Sequence, residues 1–264
     1  MTSPVRLAAA LAVAVATGLL LSGLGESHRS HAAFSASALR SLPTPAASAL
    51  EIGPPARLTS SRFLSRWTIV RRPALARSAP SASAPVVGEL RTRAPEGTPN
   101  AVGVLRSEAD RGGRVWVKVH LPILPNGSVG WVTRRALGAY QTVDTRLLVD
   151  RRTLRATLYR AGKPVFSAPV GVGTRAWPTP AGRFIVRSQL TRYASAFYGP
   201  IAFGTNARSA VLTDWPAGGF VGIHGTDAPQ LLPGQVSHGC IRMRNADIRR
   251  LAKLMPIGTA LTIR

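Results

Sequence analysis

The sequence predicts a mainly β protein with one short helix near its C-terminus, and three observations carry that expectation. Val115-Trp116-Val117-Lys118-Val119 alternates strictly, with three valines on one face. Residues 153–159 and 165–172 both alternate, and the turn Ala161-Gly162-Lys163 between them makes the pair a hairpin. One stretch, 245–255, places Ile248, Leu251 and Leu254 or Met255 at helical spacing.

In chain order, residues 1–32 have the pattern of an export signal. Arg6 supplies the positive charge, residues 7–25 are uncharged and apolar, and an A-x-A-like site ends at Ala32. The segment is expected to be a cleaved signal peptide or an N-terminal membrane anchor, with the rest of the chain exported to the cell envelope. Residues 33–66 are rich in Ala, Ser and Pro and read as a flexible spacer. Residues 67–138 carry short strand-like runs around Gly and Pro turns. Among the turns, Leu124-Pro125-Asn126-Gly127 contains the Asn-Gly pair that tolerates positive φ. A small β-barrel is expected there, with Trp116 and Trp131 either in its core or as stacking residues.

Residues 142–264 form a second β-rich region. In its hairpin Leu154, Ala156 and Leu158 face inward, opposite Phe166, Ala168, Val170 and Val172, and Pro169 places the second strand at an edge. Residues 188–219 show weak periodicity and read as one long loop of the kind that often serves as a lid. Residues 220–223 lead into His224 as a strand. Asn245 is placed to cap the helix, and Pro256 and Gly258 end it.

The chain has 34 Lys plus Arg against 11 Asp plus Glu, a net charge of +23, and all but Lys118, Lys163 and Lys253 are arginine. Such a charge suits an anionic partner such as a wall polymer or membrane surface, and a bias towards Arg codons produces the same composition. The arginines are scattered and not gathered into a stripe with interleaved aromatics, which argues against nucleic acid.

Cys240 is the chain's single cysteine, so it forms no internal disulfide. It lies in Ser237-His238-Gly239-Cys240-Ile241-Arg242, downstream of Ile223-His224-Gly225-Thr226. A thiolate is the reactive form of cysteine, and a neighbouring imidazole can take the thiol proton. Both His224 and His238 are candidates for that base. The N–H groups of Gly239 and Cys240 are candidates to stabilise an oxyanion. Arg242 is either a carboxylate-binding group or a solvated charge. A zinc site built from His224, His238, Cys240 and a carboxylate lacks the usual ligand spacing, so neither metal nor cofactor is expected.

The motifs "IHGT" and "SHGCIRMRN" strongly resemble the catalytic signature of the YkuD-type L,D-transpeptidases, and "GVGTRAWPTPAGRFIV" resembles a hairpin and strand of that family. The stretch "VWVKVHLPILPNGSVGWV" resembles the bacterial SH3-like domains found beside cell-wall enzymes. The first resemblance implies a catalytic β-sandwich over 142–264 that acts on peptidoglycan stem peptides. Cys240 would attack the carbonyl before a terminal D-Ala, form a thioester, and pass the acyl group to the amine of a second stem. Water in place of that amine would give L,D-carboxypeptidase activity, and a catalytically silent wall-binding protein is the alternative outside enzymology. The family also implies acylation by β-lactams such as carbapenems. Carried over, Cys240 is the nucleophile and His224 the base. His238, Gly239 and Ser237 belong to the nucleophile motif, and Gly239, Ser237, Arg242 and Gly225 are the residues expected to bind the oxyanion or the substrate. Gly225 stands where some members carry a hydroxyl residue, so a backbone carbonyl is expected to orient the base. Arg242 stands where some members carry Asn.

Overall fold

The computed structural model describes residues 56–57, 64–191, 195–212 and 219–264. The expected export segment and most of the expected spacer lie outside the described residues. The expected β character and the single helix are both present.

The first sheet is antiparallel and is built from β1 (Ala56–Arg57), β2 (Ser65–Ile69), β3 (Ala74–Arg77), β4 (Val86–Leu90), β5 (Ala101–Ala109), β6 (Val115–His120), β7 (Val129–Thr133) and β8 (Gln141–Val143). Its order is β4-β3-β7-β6-β5-β2-β8, with β1 paired to β5. Val117 and Val119 of the alternating run point into a core with Val70, Leu90, Val104, Leu121 and Val132, so burial on one face fixes the register of the sheet. Trp116 and Trp131 are 2% and 6% exposed, and the Trp116 indole N–H donates to Asp110. Neither is a surface stacking residue, because core burial leaves no face for a ligand. The sheet also runs on past residue 138, because β8 pairs with β2.

The second sheet contains β9 (Thr145–Asp150), β10 (Arg155–Arg160), β11 (Lys163–Pro169), β12 (Gly171–Gly173), β13 (Gly182–Leu190), β14 (Ala202–Arg208), β15 (Phe220–His224), β16 (Gly234–Ser237), β17 (Ile241–Arg242) and β18 (Ala260–Ile263). Its order is β11-β10-β9-β18-β13-β14-β15-β17-β12-β16, so Pro169 ends an edge strand. Ala156, Leu158, Phe166, Ala168, Val170 and Val172 are buried as the hairpin pattern requires. Leu154 lies in the tight turn between β9 and β10, at φ 52°, and packs partly buried against the same core.

Two expectations need correction. Residues 188–219 are not one long loop. β13 continues to Leu190, and β14 crosses the middle of the sheet between β13 and β15. The helix α1 (Asn245–Leu254) is capped by Arg244, not Asn245. The Asn245 side chain turns away to accept the Thr226 N–H at 3.0 Å. Ile248 and Leu251 of α1 are fully buried in the core of the second sheet.

The two sheets touch through specific polar contacts. Ser65 donates to the Gly258 carbonyl at 2.9 Å. The Asn126 amide pairs with both the N–H and the carbonyl of Arg208. Glu96 accepts from Arg187 and Ser188 on β13.

Candidate active site

The site sits on a parallel seam. β15 and β17 pair in parallel with Ile223 opposite Ile241 and His224 opposite Arg242. That register sets Gly222 level with Cys240, and the Gly222 N–H donates to Cys240 Sγ at 3.3 Å. A side chain at Gly222 would begin 3.9 Å from both Cys240 Sγ and His224 Cδ2, so the bare glycine leaves thiol and imidazole facing one shared space. The strand pairing thus brings together two residues separated by fifteen others in sequence.

His224 is 1% exposed. Its Nδ1 lies 2.6 Å from the Gly225 carbonyl. A carbonyl only accepts, so Nδ1 carries the hydrogen and Nε2 keeps its lone pair. The orienting group is therefore a backbone carbonyl. Gly225 serves the base in this way and does not face the cavity. A side chain there would collide with Asn245 Oδ1 and Pro200. Tyr198 packs edge-on against the imidazole at 4.8 Å, with Phe197 beyond it. His238 differs in every respect. It is exposed and packs on Trp177 at 4.4 Å, although it also borders the cavity.

The nucleophile loop is held from behind. Gly239 has φ 114°, a conformation that favours glycine. Ser237 is buried, accepts the Gly239 N–H at 3.1 Å and donates to the Cys240 carbonyl at 2.6 Å. Its hydroxyl is consumed within the loop, so the expected substrate contact from Ser237 is replaced by a structural one. The Gly239 N–H, also consumed, is not available for an oxyanion, which leaves the Cys240 N–H of the expected pair. Thr179 is a site residue that sequence reading missed. Its hydroxyl donates to the Gly239 carbonyl at 2.8 Å and accepts the Gly173 N–H at 2.8 Å, tying the "TPAG" turn to the nucleophile loop.

Arg242 is 7% exposed, which excludes a solvated charge. Its guanidinium lies over the Phe197 ring at 4.5 Å, and its Nε has no hydrogen-bond partner among the described residues. Arg242, Ser237, His238, Cys240, His224 and Tyr198 line one narrow cavity. A second cavity of about 150 Å³ also reaches Cys240 and His224 and extends to Glu96 and Arg187.

The electrostatics favour an uncharged resting pair. Burial lowers the His224 pKa from 6.5 to about 4, opposed by the Gly225 hydrogen bond and reinforced by the Arg242 cation. Burial pushes the Cys240 thiol above its ordinary 9.0, partly offset by the Gly222 N–H and Arg242. At neutral pH the pair is thiol and imidazole, not thiolate and imidazolium. Among the described residues no three His, Cys, Asp or Glu side chains converge as a metal site.

The YkuD family of L,D-transpeptidase catalytic domains matches residues 144–263. A Bacillus licheniformis protein named as an L,D-transpeptidase, YkuD, is 35% identical over 124 residues, which span 46% of this chain and 67% of that one. Its Bacillus subtilis namesake is 31% identical over 122 residues, with 46% and 67% covered. The crystal structure of a cysteine-to-serine mutant of an Enterococcus faecium L,D-transpeptidase is 22% identical with a TM-score of 0.37. That match covers 46% of this chain and 49% of the other, about half its length. The family match spans the residues that hold His224 and Cys240, and together with the Bacillus relatives it shows that the chain belongs to the YkuD family, its L,D-transpeptidase catalytic domain occupying residues 144–263.

Proposed function

We propose that this protein is a peptidoglycan L,D-transpeptidase working through a Cys240 thioester, exported to the cell envelope, with the first sheet as an SH3-like positioning module. The observation that carries the reading is the pairing of Cys240 with a buried imidazole whose Nε2 lone pair faces the same cavity, beside a buried arginine. A tetrapeptide stem enters with its terminal carboxylate on Arg242, which can hold it by paired hydrogen bonds. His224 Nε2 takes the thiol proton as Sγ attacks the carbonyl before D-Ala. The S–C bond forms, and the oxyanion is stabilised by the Cys240 N–H. The C–N bond to D-Ala then breaks, and His224 returns the proton to the leaving amine. The amine of a second stem attacks the thioester, loses its proton to His224, and displaces the sulfur, which recovers that proton.

Purified tetrapeptide muropeptide is the test substrate. The reading expects cross-linked dimers and free D-Ala with wild-type protein and neither with Cys240→Ala. Tripeptide without dimers would replace transfer with hydrolysis. Because a β-lactam carbonyl is open to the same attack, incubation with a carbapenem is expected to add its mass to the wild type alone.

A further inference from the structure

The second cavity has a composition of its own. It is lined by Cys240 and His224, by the apolar Leu190, Phe203, Phe220 and Val221, and by Glu96 and Arg187. Its volume, about 150 Å³, is on the scale of one amino-acid side chain. Glu96 does not belong to the catalytic domain. It precedes β5 in the first sheet and reaches across to β13, 91 residues later in the chain. Its carboxylate accepts Arg187 Nη2 at 2.8 Å and the Ser188 hydroxyl at 2.7 Å. Space for this entry comes from Gly204 on β14, where a side chain would begin 2.8 Å from Glu96 Oε1.

The pair keeps unused capacity. A carboxylate offers about four acceptor positions, and the bonds from Arg187, Ser188 and, at 3.4 Å, the Thr98 hydroxyl occupy three of them. The Arg187 side chain is 2% exposed, and its Nε has no hydrogen-bond partner among the described residues. Burying an ion pair is costly, so one kept in the lining of a largely apolar cavity invites a functional reason. A largely apolar cavity with one acidic and one basic group in its lining suits an aliphatic stem that ends in both an ammonium and a carboxylate.

Resting on the reading above, in which Cys240 is acylated by a stem peptide, we propose that this cavity receives the side chain of the acylated residue. Glu96 and Arg187 together select a side chain ending in an amino-acid zwitterion, as in diaminopimelate, over one ending in an amine alone, as in lysine. Glu96 takes the ammonium and Arg187 the carboxylate. The first sheet thereby supplies a specificity-determining residue to a site whose chemistry lies entirely on the second.

The test uses the full chain and three tetrapeptide donors, differing only at the third residue: diaminopimelate, diaminopimelate with its side-chain amine acetylated, and lysine. Release of D-Ala gives kcat/KM for each, and intact mass follows Cys240 acylation. Wild type is expected to prefer the first donor over either other by about tenfold, the scale of one charge-assisted hydrogen bond. Glu96→Gln preserves shape and is expected to bring the first two donors within about threefold, with Glu96→Asp recovering part of the discrimination. A merely structural role for Glu96 would lower all three rates together and leave their ratios unchanged, and that result overturns the proposal. If Glu96→Gln melts before assay, Ser188→Ala, which frees one carboxylate oxygen without removing the charge, is expected to keep the wild-type order of donors. Loss of that order in Ser188→Ala overturns the proposal as well. A wild type acylated equally by all three donors overturns the proposal but leaves the transpeptidase reading intact, whereas no acylation by any donor overturns both.

Discussion

The two sheets bury different kinds of residue. Thr68 and Asn100 are the buried polar residues of the first sheet among those described, and the rest of its interior is Val, Leu, Ala and Trp. The second sheet buries Arg187, Ser188, Thr205, Asn206, His224, Ser237 and Arg242 along β13, β14 and the β15–β17 seam. A buried polar group costs stability unless it is hydrogen-bonded, and a buried charge costs more. The first sheet is thus built for burial, while the second also buries ionisable groups, Arg187, His224 and Arg242, around its two cavities. The contrast places chemistry in the second sheet and support in the first, with Glu96 as the point where the support enters the chemistry.

Substitutions test this division in order of expected effect. Cys240→Ala or His224→Ala is expected to lower D-Ala release by about four orders of magnitude, as for a nucleophile and base acting as a unit. Both variants should melt no lower than wild type by more than a few degrees, because each removes a group that burial destabilises. Leu90→Ala, in the first sheet's core, is expected to cost about 3 kcal/mol in denaturant unfolding while leaving the pH dependence of activity unchanged. A shift in that pH dependence would break the division.

Acid stability draws on a histidine in each sheet whose pKa burial lowers, His224 with the larger shift. His224 has a folded pKa of about 4 against 6.5 when unfolded. The unfolded state binds the extra proton between these values. The contribution is therefore fully present above pH 6.5, falls by about 3 kcal/mol as pH drops to about 4, and changes no further below that. Chemical denaturation of wild type and His224→Gln across that range should show a shallower slope in the variant, where His120 of β6, its pKa also lowered by burial, still contributes.

A smaller loss, about 2 kcal/mol, is expected for Thr179→Val, which removes the hydroxyl that joins Gly173 to Gly239. It should lower activity further than the stability loss accounts for, since the nucleophile loop loses its anchor. Arg250→Ala, breaking an exposed pair with Asp247 at 3.8 Å, should change the melting temperature by less than a degree or two.

Much of this site could be read in the sequence because its chemistry is concentrated in short motifs. Cys240, its two flanking histidines and the glycines beside them occupy a few residues each. What could not be read depends on contacts between distant parts of the chain. β14 escaped because Thr205 and Asn206 are polar yet buried. Thr205 donates to the Val221 carbonyl and Asn206 accepts the Ile185 N–H, so partners far away in sequence cancel their desolvation. Asn245 looked like a local cap, but its amide oxygen serves Thr226, 19 residues upstream. Thr179 faces the loop's backbone, and Ser237, although it lines the cavity, spends its hydroxyl on that backbone, directions that spacing cannot convey. The choice between the histidines turned on burial. His224 ends a central strand, whereas His238 is exposed beside Trp177.

The central claim is that a neutral Cys240–His224 pair performs acyl transfer with His224 as the base. The most direct test is the rate of carbapenem adduct formation on the wild type, followed by intact mass from pH 4 to pH 9. The account predicts a rate nearly constant through neutral pH that falls only as His224 protonates near pH 4. A rate that drops about tenfold for each pH unit below 9.0 would mean that a thiolate titrating alone is the nucleophile, and would contradict it.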